Sequence, residues 1–402
     1  MKQLKLLCVI ILLLLPAALV LGSDEPSNSN DRTCYPPAAE ENALREFFRK
    51  MNGEAWRKSG NWLQGNPCGD ARQSNWFGVM CSPCQENVRH VEILTLEWNN
   101  VIGTFGEFLG QLPRLQVLNL GTNHISGELP DVFANMSQLH TVKLSYNRIS
   151  GRWPSSLSSA TRLEVVDLPY NDLAGDVNEI LASHPRLRVL NLRGNRGFGG
   201  DLGTAGLHLA RLVELRVLDL YWNVVGGTLP PELFSLPKLE ELSLTNNEIS
   251  GELPAAMNLP KLRILQLSDN YIEGELPVAL AQLAHLQILD AERNDLEGSI
   301  PDVFGSLPGL IEVRLKNNRL SGPLPASLFR LAQLKVLDVS NNDLGGAIPA
   351  AVGGLKSLKR LDLSHCRLTG VLPPQLGQLK TLESLTIANN RISGEFLVVW
   401  ER

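Results

Sequence analysis

Residues 331–354 read LAQLKVLDVSNNDLGGAIPAAVGG. Leu331, Leu334, Leu337 and Val339 place apolar side chains at positions 1, 4, 7 and 9 of this 24-residue unit. Asn342 follows at position 12, Leu344 at 14, Gly346 at 16, Ile348 at 18 and Pro349 at 19. One such unit has no way to bury its apolar edge, so the pattern carries weight because it recurs. It recurs with starts at 88, 112, 136, 160, 184, 212, 236, 259, 283, 307, 331, 355 and 379, which makes thirteen coils.

Positions 7 and 9 alternate with polar residues, a period of two, so each coil is expected to carry one short strand. Strands of successive coils then stack in parallel, apolar side chains inward and the intervening ones outward. Twelve coils have Asn at position 12 (Asn99, Asn123, Asn147, Asn171, Asn195, Asn223, Asn247, Asn270, Asn294, Asn318, Asn342 and Asn390), and Cys366 takes the place in the remaining one. A buried amide persists when hydrogen-bonded, so a stacked column of Asn is expected to bond the turn backbones of adjacent coils. Gly at 16 and Pro at 19 supply a turn and an extended exit. The fourth coil lacks the Pro, the fifth runs 28 residues (184–211) through NRGFGGDLG, and the seventh is one residue short (236–258). Such changes are expected in loops opposite the strands.

A formal charge of −5 over 402 residues, with no basic block, argues against a nucleic-acid partner. Met1–Gly22 reads as a secretory signal peptide: Lys2 and Lys5, an apolar run from Leu6 to Leu15, then Val20-Leu21-Gly22 before Ser23. No later stretch reads as a membrane span, and no hydrophobic GPI tail precedes the end at Trp400-Glu401-Arg402. Secretion and an extracellular location, at the cell surface or wall, are expected. Motifs such as GxxxxGK, HExxH and GxSxG are missing from the sequence, and the seven His have no ligand spacing. No catalytic residue, metal or cofactor is therefore expected. Asp167, Asp219, Asp290, Asp338 and Asp362 share position 8, where a solvated outward face is expected.

The unit matches LxxLxxLxLxxNxLxGxIPxxLxx, so residues 88–402 resemble plant-type extracellular leucine-rich repeat proteins, both receptor-like ectodomains and polygalacturonase inhibitors. The resemblance implies an α/β repeat solenoid, a right-handed superhelix with a parallel strand face. It also implies an N-terminal cap within 23–87, where NWLQGNPCGDARQSNWFGVMC (61–81) resembles the Trp-rich segment that seals the first coil. Glu40–Met51 has the spacing of a short amphipathic helix, ended by Asn52-Gly53, and Trp56, Trp62, Trp76 and Phe77 are the expected filling. Four cap cysteines allow three connectivities, and the family's PC…W.GV.C pattern implies Cys68–Cys81, leaving Cys34 for Cys84. Cys366 is expected as a buried thiol. Phe396–Trp400 is expected to seal the far end, unless the chain is a shortened relative of a membrane-anchored receptor.

The resemblance implies a secreted peptide or protein ligand, with a membrane co-receptor or a wall enzyme as further partners. An enzyme inhibitor and an adhesive wall protein are the competing readings. Position 11 carries Trp98, Tyr146, Tyr170 and Trp222, with Tyr221 beside it, an outward aromatic column suited to anchoring a ligand. In the tenth coil Arg314 and Lys316 both point outward near Arg319. Peptide-receptor members of the family use such a basic pair to hold a ligand's free C-terminal carboxylate. Asn135-Met136-Ser137 is the only N-glycosylation sequon and is expected on the side away from the strands.

Overall fold

The computed structural model describes residues 34–69 and 74–393. The expected leader at 1–22, residues 23–33 and the expected seal at Phe396–Trp400 lie outside the described residues. Alternating apolar residues drive one strand per repeat, and these strands join into a single 14-stranded sheet. Its first member, Val79–Cys81 of the cap, pairs antiparallel with Val91–Thr95. Every later neighbour is parallel, ending at Ser384–Thr386. Pairing is in register: Val336, Leu337 and Asp338 face Arg360, Leu361 and Asp362. Residues at the same repeat position therefore stand in columns. The inward column of Leu118, Val142, Val166, Leu190 and Leu218 is fully buried.

Most coils also hold a second short strand around positions 13–17, which the one-strand reading did not foresee; the coils starting at 355 and 379 keep only isolated bridges there. These strands stack in five-, four- and two-stranded parallel sheets along one flank. The polar, Gly-containing stretch hides their alternation: His124–Glu128 buries only Ile125. Glycine at position 16 is required there, because the backbone is left-handed, as at Gly151 (φ 82°) and Gly346 (φ 75°).

The Asn column is a hydrogen-bonded ladder. Asn294 donates from Nδ2 to the carbonyls of Leu267, Ala291 and Glu292 at 2.9, 3.3 and 3.2 Å, and its Oδ1 accepts from Ile272 N at 2.9 Å. One side chain thus closes its own turn and ties two coils together. At Cys366 the thiol approaches the carbonyls of Val339 and Ser364 instead, at 3.2 and 3.3 Å. Burial pushes that thiol up to about 12, so it is an inert core group.

The cap helix spans Ala38–Lys50 and ends at Asn52, which takes a left-handed conformation. Its Phe47 and Phe48 meet Trp56 and Trp62, and Trp62 meets Trp76 at 5.0 Å. Trp56, Trp62 and Trp76 are buried as expected, but Phe77 is 38% exposed and does not belong to the filling. Its neighbours explain this: Val79, two residues on, takes the inward place on the first strand, and Lys58 Nζ sits over the Phe77 ring at 5.6 Å. Disulfides join Cys34 to Cys84 and Cys68 to Cys81. Glu40, buried in the helix, accepts from Val91 N at 2.8 Å and pairs with His90 Nδ1 at 2.6 Å, fastening the cap to the sheet.

Return segments are mostly single 3-10 turns. The Pro-less fourth coil instead forms a helix, Val177–Ser183, capped by Asp176 accepting from Asn178 N. The longer fifth coil adds the helix Gly206–Leu209, and the short seventh has no helical turn there. Asn135 ends the 3-10 turn Phe133–Asn135 and is exposed.

Candidate functional site

Position 11 is where the strand leaves the sheet, and its backbone is left-handed nearly throughout: Trp98 (φ 54°), Thr122 (54°), Tyr146 (52°), Tyr170 (56°), Trp222 (59°), then Asn246, Asp269, Arg293, Asn317, Asn341, His365 and Asn389. Gly194 fills the fifth coil. L-residues disfavour this conformation by about 1 kcal/mol, and Asn, Asp and Gly tolerate it best. The second half of the molecule mostly places Asn or Asp here. The first half places large rings, against local preference.

Those rings point outward as the sequence suggests. Trp98 is 66% exposed, Tyr146 45% and Trp222 37%. Tyr146 and Tyr170 stack at 4.7 Å. Trp98, Tyr146 and Tyr170 line one open depression of about 340 Å³ with Arg57, His124 and Arg148. Arg57 comes from the cap, and its place is fixed by backbone. Arg57 N donates to Asn99 O at 3.0 Å, while Asn99 exchanges hydrogen bonds with the Lys58 backbone at 2.7 and 2.8 Å. The guanidinium then lies over Trp98, 4.8 Å from the ring centre. Tyr221 and Trp222 lie outside the depression, covered by Arg193 and Arg196 at 3.9 and 3.8 Å.

Arg57, His124 and Arg148 were missed by sequence reasoning. Arg57 lies 41 residues before Trp98 in the chain, a distance no repeat period bridges. His124 and Arg148 sit two positions past the column, and only the flank strand shows that they share its edge.

The basic cluster of the tenth coil differs from expectation. Arg314 is bound to Glu312 of its own strand at 3.0 Å, and Arg319 to Asp295 of the preceding coil at 2.5 Å. Lys316 is half-buried and makes no ion pair among the described residues. Two of the three cations therefore already hold a carboxylate. The cause is register, which aligns position 13 of adjacent coils and sets Arg319 beside Asp295.

The acids at position 8 correct a second expectation. Asp167, Asp219 and Asp338 are buried, Asp219 to 1% exposure, so this column is not a solvated face. Neighbouring columns close over it. Asp219 meets Arg193 at 3.3 Å, and Asp167 accepts from Asn191 Nδ2 at 2.9 Å. Burial pushes Asp167 up to about 6 and Asp219 upward against the Arg193 charge. Glu241, 1% exposed, is pushed by burial and then by Asp219 to about 8. Asp338 and Asp362 each accept a 2.6 Å bond from the serine two residues on, which closes their own turns. Among the described residues, no group of three or more His, Cys, Asp or Glu side chains is arranged to hold a metal. No described helix is long and apolar enough to cross a membrane.

A sheet of stacked parallel strands, an Asn ladder and a Trp-filled, disulfide-bonded cap define the molecule as a leucine-rich repeat solenoid. Leucine rich repeat family models match residues 89–149, 237–296, 333–355 and 357–379. Residues of this chain are 35% identical over a 65-residue stretch to phytosulfokine receptor 1 of Arabidopsis thaliana, covering 16% of this chain and 6% of that protein. Among solved structures, the plant peptide hormone receptor RGFR1 in complex with RGF2 is 32% identical with a TM-score of 0.67, covering 74% of this chain and 51% of that one. The PEPR1–AtPEP1 complex is 29% identical with a TM-score of 0.71, covering 88% and 53%. The chain thus spans about half the length of these solved relatives and a small part of the curated one.

Proposed function

We propose that this chain is a receptor-like recognition module that binds a secreted peptide or protein along its strand face and the adjoining turn edge, without catalysis. The observation that carries this reading is the aromatic column held in left-handed backbone. Trp98, Tyr146, Tyr170 and Trp222 occupy positions that Asn fills at lower cost elsewhere in the same molecule, so packing does not account for them. Large rings on a rigid scaffold are what a protein surface uses as anchors. Similarity to the plant peptide hormone receptor RGFR1 in complex with RGF2, and to the PEPR1–AtPEP1 complex, supports the same reading. The two disulfides fit an oxidising, extracellular compartment, and the exposed Asn135 fits N-glycosylation. Arg314, Lys316 and Arg319 enter as a secondary contact, with Lys316 the cation still available for a ligand carboxylate.

The test is capture of secreted peptides by the immobilised chain, wild type against a Tyr146→Ala/Tyr170→Ala/Trp222→Ala variant. Wild type should enrich a defined peptide that the variant loses by at least about tenfold. Identical capture by both would overturn the reading. Loss on Asn135→Gln would place the glycan side, not the strand side, in contact with the ligand.

A further inference from the structure

We propose that the depression bounded by Arg57 and Tyr170 takes an acidic segment of the ligand. A side-chain carboxylate is gripped by Arg57, His124 and Arg148, and a neighbouring flat side chain lies against Trp98 or the Tyr146–Tyr170 stack. The inference rests on the reading of this edge as a peptide-recognition surface and adds where the ligand docks and which chemistry is read.

Charge is the first support. The depression is lined by Arg57, His124 and Arg148 and by no carboxylate. Exposed arginines are ordinarily just solvated, so the comparison along the same edge matters. In the second half, three of the four arginines of this edge hold an acid one coil away, Arg293 with Asp269, Arg319 with Asp295 and Arg367 with Asp343, and only Arg391 of the last coil forms no ion pair among the described residues. Around the depression Arg57, His124 and Arg148 form no ion pair among the described residues; Asp172 follows Arg148 along the column yet is not joined to it. The unfilled partner is an anion.

Geometry is the second. The Arg57 guanidinium carbon sits over Trp98, 4.8 Å from the ring centre. A stacked guanidinium keeps its N–H edge free, and that edge matches a carboxylate in a two-point fork. The Asn99 bonds to Arg57 N and the Lys58 backbone fix the backbone from which it projects, which reduces the entropy lost on binding. The ring cost at position 11 is the third: three of the four strained aromatics line this one depression.

The probe is an EYEYE peptide, acetylated and amidated so that neither terminus is charged, with QYQYQ as its neutral counterpart. Binding to the purified chain is followed by calorimetry. EYEYE should bind at least about tenfold more tightly than QYQYQ, and the margin should shrink with salt. Arg57→Gln and Arg148→Gln should each weaken EYEYE by about tenfold, with unchanged melting curves, while Arg367→Gln, at the far end of the same edge, leaves it as in wild type. Equal binding of the two peptides overturns the proposal, as does dependence on Arg367 in place of Arg148. Decagalacturonate serves as a third probe. If it binds through Arg57 and Arg148 where EYEYE does not, the occupant is an acidic polysaccharide and the peptide assignment falls. If the capture experiment yields a ligand lost with the aromatics while EYEYE fails to bind, peptide recognition stands and only the acidic assignment falls.

Discussion

The coils before Leu236 and those from Leu236 onward share one backbone and differ in what they hang on it. Both halves carry the same inward leucines, the same Asn ladder and the same left-handed turn at position 11. In the later coils that turn is filled mostly by residues that suit it, Asn246, Asp269, Asn317, Asn341 and Asn389, with Arg293 and His365 the exceptions, and Arg293, Arg319 and Arg367 are paired with acids one coil away. In the earlier coils it carries Trp98, Tyr146, Tyr170 and Trp222, and Arg57 and Arg196 lie over rings and form no ion pair among the described residues, while Arg193 lies over Tyr221 and also meets Asp219. One half is built at low local cost, and the other accepts strain where its side chains face outward. Strain retained at an outward position is a mark of selection for something other than folding.

The comparison predicts first that the two halves respond alike where the ladder is cut. Asn123→Leu strands two buried amides, those of Asn99 and Val101, and Asn294→Leu strands that of Ile272, and each leaves carbonyls unbonded in two coils. Each should lower stability by about 3–5 kcal/mol, at about 1–3 kcal/mol per unsatisfied group, read from denaturant midpoints. A large gap between them would mean that one half does not rely on its ladder.

The halves should part in acid. Most coils begin with an apolar residue, but the fifth begins with His184, which is fully buried beside Trp153, and neither ring nitrogen has a well-formed hydrogen bond. Burial holds it down to about 4 from 6.5, with only the Ala160 backbone opposing. The unfolded chain therefore takes up a proton below pH 6.5 that the folded chain refuses until about 4. Stability should fall as pH is lowered through that window, by about 3 kcal/mol in all. His184→Leu should remove this slope. Asp167 acts with the opposite sign. Raised from 3.8 to about 6, it keeps its proton longer in the folded chain, so its contribution weakens as pH rises through that range. Asp167→Asn should remove that second slope, and an unchanged pH profile in either variant would refute the burial account of its residue.

Exchanging residues across the halves tests the strain itself. Asn317→Tyr should cost about 1 kcal/mol, because a bulky residue replaces one that accepts left-handed backbone. Thr122→Asn should gain a similar amount, since Thr122 is β-branched at φ 54° and takes part in none of the ring stacks. If both changes are neutral, position 11 is not strained and the argument for function loses its footing.

The smallest effect lies at the break in the ladder. Asn342 accepts from Leu320 N at 3.0 Å, and Cys366 has no oxygen to offer at the equivalent place. Cys366→Asn should stabilise by about 0.5–1.5 kcal/mol, the usual net value of one hydrogen bond. A loss instead would show that the site has tightened around sulfur.

Periodicity alone determined the coils, the strand in each, the inward columns and the role of Asn at position 12, because a unit of this length has one way to bury its leucines. The Trp-rich cap and its cysteine pairing were legible through resemblance. The aromatic column was legible as a column. What it stands next to was decided only by tertiary structure. Docking of the cap brings Arg57 onto Trp98, and pairing of the flank strands lines His124 and Arg148 along the same edge. In-register stacking neutralises Arg319 with Asp295, while the strand of Arg314 supplies Glu312 as its partner. The same stacking closes neighbouring columns over Asp219 and Glu241, which the alternation of letters would leave in water. A repeat fixes which residues face outward, but the solvation and charge of an outward position depend on side chains one coil away, or in the case of Arg57 on a segment outside the repeat altogether.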